Sequence, residues 1–226
     1  MHTYDDVRAM ARTNYGYGRW DAPYWFIGPE QGMGSHEKDL GLRVRAWLDL
    51  GGLELNDCRE FHRRIGEKRW HYEEPRVSLQ RTWRPLMLLL MTFLERPATR
   101  DDLRSYQRDR WGCADAAQGE TCVIELSGLA APSLMGSDTN FFVPERIDVI
   151  RARISDHSPE LVVMYGDMQR AAWQAVISPL TFADDGFVTQ GSTIMVRTPH
   201  PNKRGLCDAY WIDLGKALRG RRGNSG

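Results

Sequence analysis

The chain has 226 residues, 42% of them hydrophobic, long enough and apolar enough to bury one sizeable core. Its 30 basic and 30 acidic residues cancel, so no global field draws it to nucleic acid and any such surface has to be local. With no signal-peptide pattern and no apolar stretch near bilayer length, the expectation is a reduced, cytoplasmic, monomeric protein with no membrane partner.

Only four of the basic residues are Lys (38, 68, 203 and 216), which leaves 26 Arg. Arg grips phosphate bidentately and stacks on bases, although a GC-rich genome produces the same bias. The four cysteines, at 58, 113, 122 and 207, form no C-x-x-C pair and lie far apart. That spacing argues against a zinc ribbon or an iron–sulfur cage, and neither a metal nor a cofactor is expected.

Residues 3–14 carry Tyr4, Val7, Met10 and Ala11 at helical spacing, and residues 14–18 break that helix. Residues 23–27 read as a strand, apolar throughout as strands covered on both faces are. A loop of Gly28, Pro29, Glu30, Gln31 and Gly32 follows. Residues 37–50 read as a helix with Leu40, Val44, Trp47 and Leu48 inward, stopped by Gly51 and Gly52. Residues 53–78 are polar, with Arg59, Arg63, Arg64, Lys68 and Arg69 interleaved with Phe61, Trp70 and Tyr72. Such interleaving either tracks a nucleic-acid backbone or is a solvated excursion. A buried helix at 80–95 follows, then a charged one at 99–110 with Thr99 and Asp102 as its capping box.

Short apolar runs at 121–126, 161–165 and 192–197 alternate with helical patterns at 144–156, 167–177 and 206–218. Alternation of this kind specifies an α/β fold with helices on both faces of a mostly parallel, four-stranded central sheet. Residues 1–219 read as a single domain and 220–226 as a disordered basic tail.

The loop at 28–32 leaves the first strand, and Arg197, Thr198, Pro199, His200, Pro201 and Asn202 follow the last. In this order, with a parallel-sheet pattern between, they resemble the uracil-DNA glycosylase superfamily. The resemblance implies a three-layer α/β/α enzyme that flips a base out of DNA and hydrolyses its N-glycosidic bond. It places Glu30 where the family holds its water-orienting Asp or Asn. A carboxylate there stabilises the sugar cation that develops as the bond breaks. His200 matches the histidine that donates to the base carbonyl, and a positioned donor of that kind contributes about 2.7–4 kcal/mol. Gly28, Gln31 and Gly32 fall in the base-binding loop. Asn202, Lys203 and Arg204 fall where the family meets DNA, Asn202 replacing a Ser and Arg204 an apolar wedge.

Two departures bear on the substrate. The Asn that reads uracil aligns with Glu125, an acceptor suited to an exocyclic amine such as cytosine N4. Strand alternation sets Glu125 and Ser127 on one face, away from Ile124 and Leu126. Gly32 stands where the uracil-specific branch has a Tyr packed against C5 of the base, leaving room for a substituent there. The family's stacking aromatic is absent, with Arg43 near its position. The resemblance therefore implies a monofunctional glycosylase acting on a C5-modified cytosine, the kind of base found in phage genomes. An ordinary uracil glycosylase and a catalytically silent reader of flipped bases are the alternatives. A phosphate-binding enzyme built on residues 28–35 is disfavoured, because no Lys follows the last Gly.

Overall fold

The computed structural model describes residues 3–29, 36–73, 75–129 and 142–222. The chain folds as an α/β protein on one mixed sheet. Its strands are β1 (Gly16–Gly18), β2 (Tyr24–Gly28), β3 (Leu55–Asn56), β4 (Thr121–Glu125), β5 (Leu161–Tyr165), β6 (Phe187–Gln190) and β7 (Thr193–Thr198). Their order across the sheet is β3-β1-β4-β2-β5-β7-β6. The four strands expected from the sequence lie together as β4-β2-β5-β7, each neighbouring pair parallel. The expected four-stranded sheet is corrected to seven strands, with β1 antiparallel to β4 and β6 antiparallel to β7.

β1 is hidden in the sequence because Gly-Tyr-Gly reads as a break. Its glycines have φ of 147° and 95°, and a Cβ on either would lie 2.2 or 2.0 Å from a β4 carbonyl oxygen. Only glycine lets this strand approach so closely.

The helices are α1 (Tyr4–Thr13), α2 (His36–Asp49), α3 (Cys58–Arg64), α4 (Trp83–Phe93), α5 (Arg100–Asp109), α6 (Val143–His157), α7 (Arg170–Val176) and α8 (Asp208–Arg222). β2 shows how they layer on the sheet. Tyr24 and Phe26 enter a core with Leu86 and Leu90 of α4, Leu103 of α5 and Trp211 of α8. Trp25 and Ile27 point the other way, onto Ile147 and Ile150 of α6 and Trp173 of α7. Successive strand residues face opposite sides, so an unbroken apolar run serves two cores.

The capping box of α5 forms as expected, with Thr99 Oγ1 accepting from the Asp102 N–H at 3.3 Å. On α2, Val44 and Trp47 are buried but Leu48 is 41% exposed, not inward; it lies about 100° round the helix from Trp47. α8 runs to Arg222, three residues into the segment expected to be a tail. Within 53–78, α3 buries Phe61 completely, and Trp70 packs against the same core. Arg63 and Arg69 pair with Glu60 and Glu67. This segment is two-faced: Arg59, Arg63, Arg64, Lys68 and Arg69 are exposed, while Phe61, His62 and His71 are buried.

Candidate functional site

Four parallel strands end side by side, and the residues at their carboxyl ends converge there, as ligand sites in open α/β sheets do. β2 ends at Gly28, paired in register with Glu125 at the end of β4. β5 ends at Tyr165, and β7 runs into the loop carrying His200. Hydrogen bonds tie the departing chains together: the Leu126 N–H donates to Gly28 O at 2.9 Å, and the Gly166 N–H to Thr198 O at 2.9 Å.

Glu125 shares its strand face with Val123, and Tyr165 with Val163, both on the α4 side of the sheet. The two side chains rise on either side of β2 and meet above it. Tyr165 Oη donates to Glu125 Oε1 at 3.2 Å, with both residues buried. A Cβ at position 28 would lie 2.1 Å from Glu125 Oε2 and 2.2 Å from Tyr165 Oη. Gly28 thus acts by opening the space that Glu125 and Tyr165 fill. Burial first, and then the Glu125 charge, hold the Tyr165 hydroxyl well above the ordinary tyrosine range, so it remains a donor.

His200 is half-buried, its ring edge-on to Tyr165 at 5.6 Å between centroids. His200 Nδ1 accepts from the Asn202 N–H at 3.1 Å, which puts the proton of the neutral ring on Nε2. Burial lowers its pKa from the usual 6.5. At neutral pH the ring is therefore uncharged, with Nε2–H as its donor.

Arg146 holds the end of β4 in place. It is 1% exposed and lies 4.1 Å from the Tyr15 ring centre. Its Nε donates to Leu126 O at 2.7 Å and its Nη2 to Glu125 O at 2.8 Å, while Nη1 reaches Ala11 O at 3.3 Å and Arg12 O at 3.4 Å. Burial brings its pKa down to about 10, opposed by nearby Tyr15 and Glu125. The guanidinium is still charged at neutral pH, its donors spent on backbone carbonyls.

The other expected site residues are placed unevenly. Glu30, Gln31 and Gly32 lie outside the described residues. Ser127 turns back on its own loop, its hydroxyl donating to Leu129 O at 3.0 Å. Asn202 Nδ2 donates to Thr82 Oγ1 at 2.9 Å. Lys203 pairs with Asp167 at 2.5 Å, and Arg204 is exposed. Arg43 is 7% exposed and hydrogen-bonds Tyr17, so it is packed inside. Tyr165 is the residue that sequence reasoning missed. Its only signal was a polar-tipped side chain ending an apolar strand just before Gly166.

Beside the His200 loop runs a groove of about 550 Å³, reaching Pro201 and Asn202 and lined by Arg76, Arg81, Arg84, Arg100 and Arg104. Arg84 is held bidentately by Asp208, and Arg104 pairs with Asp101. Five arginines on one groove make a local cationic surface on a chain with no net charge.

The arrangement is a buried carboxylate bonded to a phenol, with an imidazole edge-on to the phenol ring. No protein-family model matches the chain, and no curated protein matches it significantly.

Proposed function

We propose that this chain is a monofunctional DNA glycosylase of the uracil-DNA glycosylase type, built on that superfamily's four-stranded parallel core. It flips a base and hydrolyses its N-glycosidic bond to leave an abasic site. Its substrate is a C5-modified cytosine, and its setting is defence against phage that carry such bases. The observation that carries this reading is the meeting of Glu125 and Tyr165 above Gly28 at the ends of adjacent parallel strands, with His200 against the Tyr165 ring.

A carboxylate has about four lone-pair positions, so the bond from Tyr165 orients Glu125 and leaves it capacity to accept from an exocyclic amine. His200 Nε2–H donates to the base carbonyl as negative charge builds there. Glu30 orients the attacking water and stabilises the sugar cation, and Gly32 leaves room at C5. The arginine groove beside Asn202 receives the phosphate backbone, which supplies most of the sequence-independent affinity.

The test is to incubate the protein with plasmid and phage DNAs carrying different bases, scoring released base and abasic sites. Release from modified-cytosine DNA alone is expected. Release of plain uracil at full rate would replace this reading with an ordinary uracil glycosylase. Tight binding without release would make the protein a reader of flipped bases. That outcome has its own physical motive, since Glu30 is one methylene longer than the family's Asp, and a misplacement of about 1 Å can cost 10²-fold in rate.

A further inference from the structure

Beside Tyr17, three side chains with metal-ligating atoms meet in the core. Cys58 and His62 stand one helical turn apart on α3, and His71 comes from the turn that follows it. One ligand atom from each lies within 4.8 Å of the other two. All three residues are buried, with exposures of 0%, 2% and 2%. We propose that Cys58, His62 and His71 form a zinc site that fastens the 65–73 segment to α3.

The spacing carries the argument. Around a tetrahedral zinc, Zn–S of about 2.3 Å and Zn–N of about 2.0–2.1 Å put sulfur and nitrogen roughly 3.6 Å apart. Cys58 Sγ lies 3.5 Å from His62 Nδ1 and 3.7 Å from His71 Nε2. The sulfur thus already sits at the separation from each nitrogen that the ion imposes. A thiolate with two imidazoles is a borderline-soft set that suits zinc and does not suit magnesium or calcium. Aromatic rings of Tyr17, Trp70 and Trp83 pack around His62 at 5.3, 5.0 and 5.4 Å and keep bulk water away.

Loading has a definite proton balance. The Cys58 thiol gives up its proton to solvent and binds as thiolate, the ion's charge offsetting the burial that otherwise favours the thiol. His62 Nδ1 also lies 2.7 Å from Cys58 O. Coordination through Nδ1 exchanges that hydrogen bond for a bond to the metal and puts the ring proton on Nε2. The three side chains fill three of the four tetrahedral positions.

The experiment is elemental analysis of the purified chain, followed by titration of the metal-stripped protein with Co²⁺. One zinc per chain is expected. Co²⁺ should give the strong visible bands of a tetrahedral ion and a near-ultraviolet thiolate charge-transfer band, both removed by Zn²⁺. Cys58→Ser should abolish the charge-transfer band. His71→Ala should weaken Co²⁺ by more than the roughly 10–100-fold drop that follows removal of a partner behind a ligand. A folded wild-type chain that retains no zinc and gives no tetrahedral Co²⁺ spectrum overturns the proposal, making the cluster a hydrogen-bonded part of the core. The same charge-transfer band in Cys58→Ser overturns it too. The wild-type titration decides the question even if a variant fails to fold.

Discussion

A methyl group added at Gly28 would enter space already held by Glu125 Oε2 and Tyr165 Oη. Gly28→Ala is expected to cost about 1–3 kcal/mol, the usual range for overpacking a close-packed interior, which chemical denaturation would measure. It should also part Tyr165 from Glu125, so base release should fall by more than stability alone explains. Glu30→Gln keeps the size of the side chain and removes its charge. Under the proposed mechanism it retains DNA binding and loses most base release, and a full-rate variant would remove Glu30 from the chemistry. Glu125→Asn should depress release of cytosine-type bases, because a polar edge left unpaired in a pocket costs about 1–3 kcal/mol. At this scale the sequence made Glu125 and His200 visible, one as an acid in an apolar strand and the other as a polar residue after the last strand. Tyr165 was not visible, because its bond to Glu125 depends on which strands are neighbours. That order is a property of the sheet, and Gly28 reports it only once the register is known.

Among the elements, the strands and helices of the central layer were legible because each carries a long periodic or unbroken apolar pattern. The 53–78 segment was not. Its charges look like a solvated face, yet Phe61, Cys58, His62 and His71 are all buried. Counting cysteine pairs missed this cluster, because one Cys with two His in two different elements has no familiar spacing. The arginine groove was equally hidden, since its residues come from 76–84, α5 and the loop after β7. If it carries the phosphate backbone, replacing Arg81 and Arg100 by Ala should reduce the slope of log affinity against log salt by about 0.9 for each phosphate no longer neutralised. Lys203 is already paired with Asp167, so Lys203→Ala with Arg204→Ala should flatten the slope less. Fluorescence anisotropy over a salt series would rank the two surfaces, and an unchanged slope in both would place the DNA elsewhere.

For the molecule as a whole, acidity should act through three histidines, the buried His62 and His71 and, at the candidate site, His200. The folded pKa of each lies below the unfolded value of 6.5, so below 6.5 the unfolded chain takes up protons that the folded chain resists. Stability should be fully present above 6.5 and decline as the pH falls through that window. Base release should share the acid limb, since a protonated His200 Nδ1 can no longer accept from Asn202. Rate profiles of wild type against His200→Gln would check this, and an identical acid limb of base release in the variant would assign it to another group. The overall class was readable because alternating strand and helix leaves few alternatives. The three outer strands β1, β3 and β6 were not, being two to four residues long and rich in glycine or polar residues.

Arg146 also bears on how the protein unfolds. Its fork reaches the last-turn carbonyls of α1 as well as the end of β4, so the amino-terminal helix is joined to the middle of the sheet through one buried cation. Fraying α1 would strip two acceptors from a charge that has no water to replace them, a far larger penalty than a surface helix normally meets on opening. The first helix of a chain usually exchanges its amide hydrogens early. Here the amides of Met10 and Ala11 should instead exchange with the strands, in a single cooperative opening.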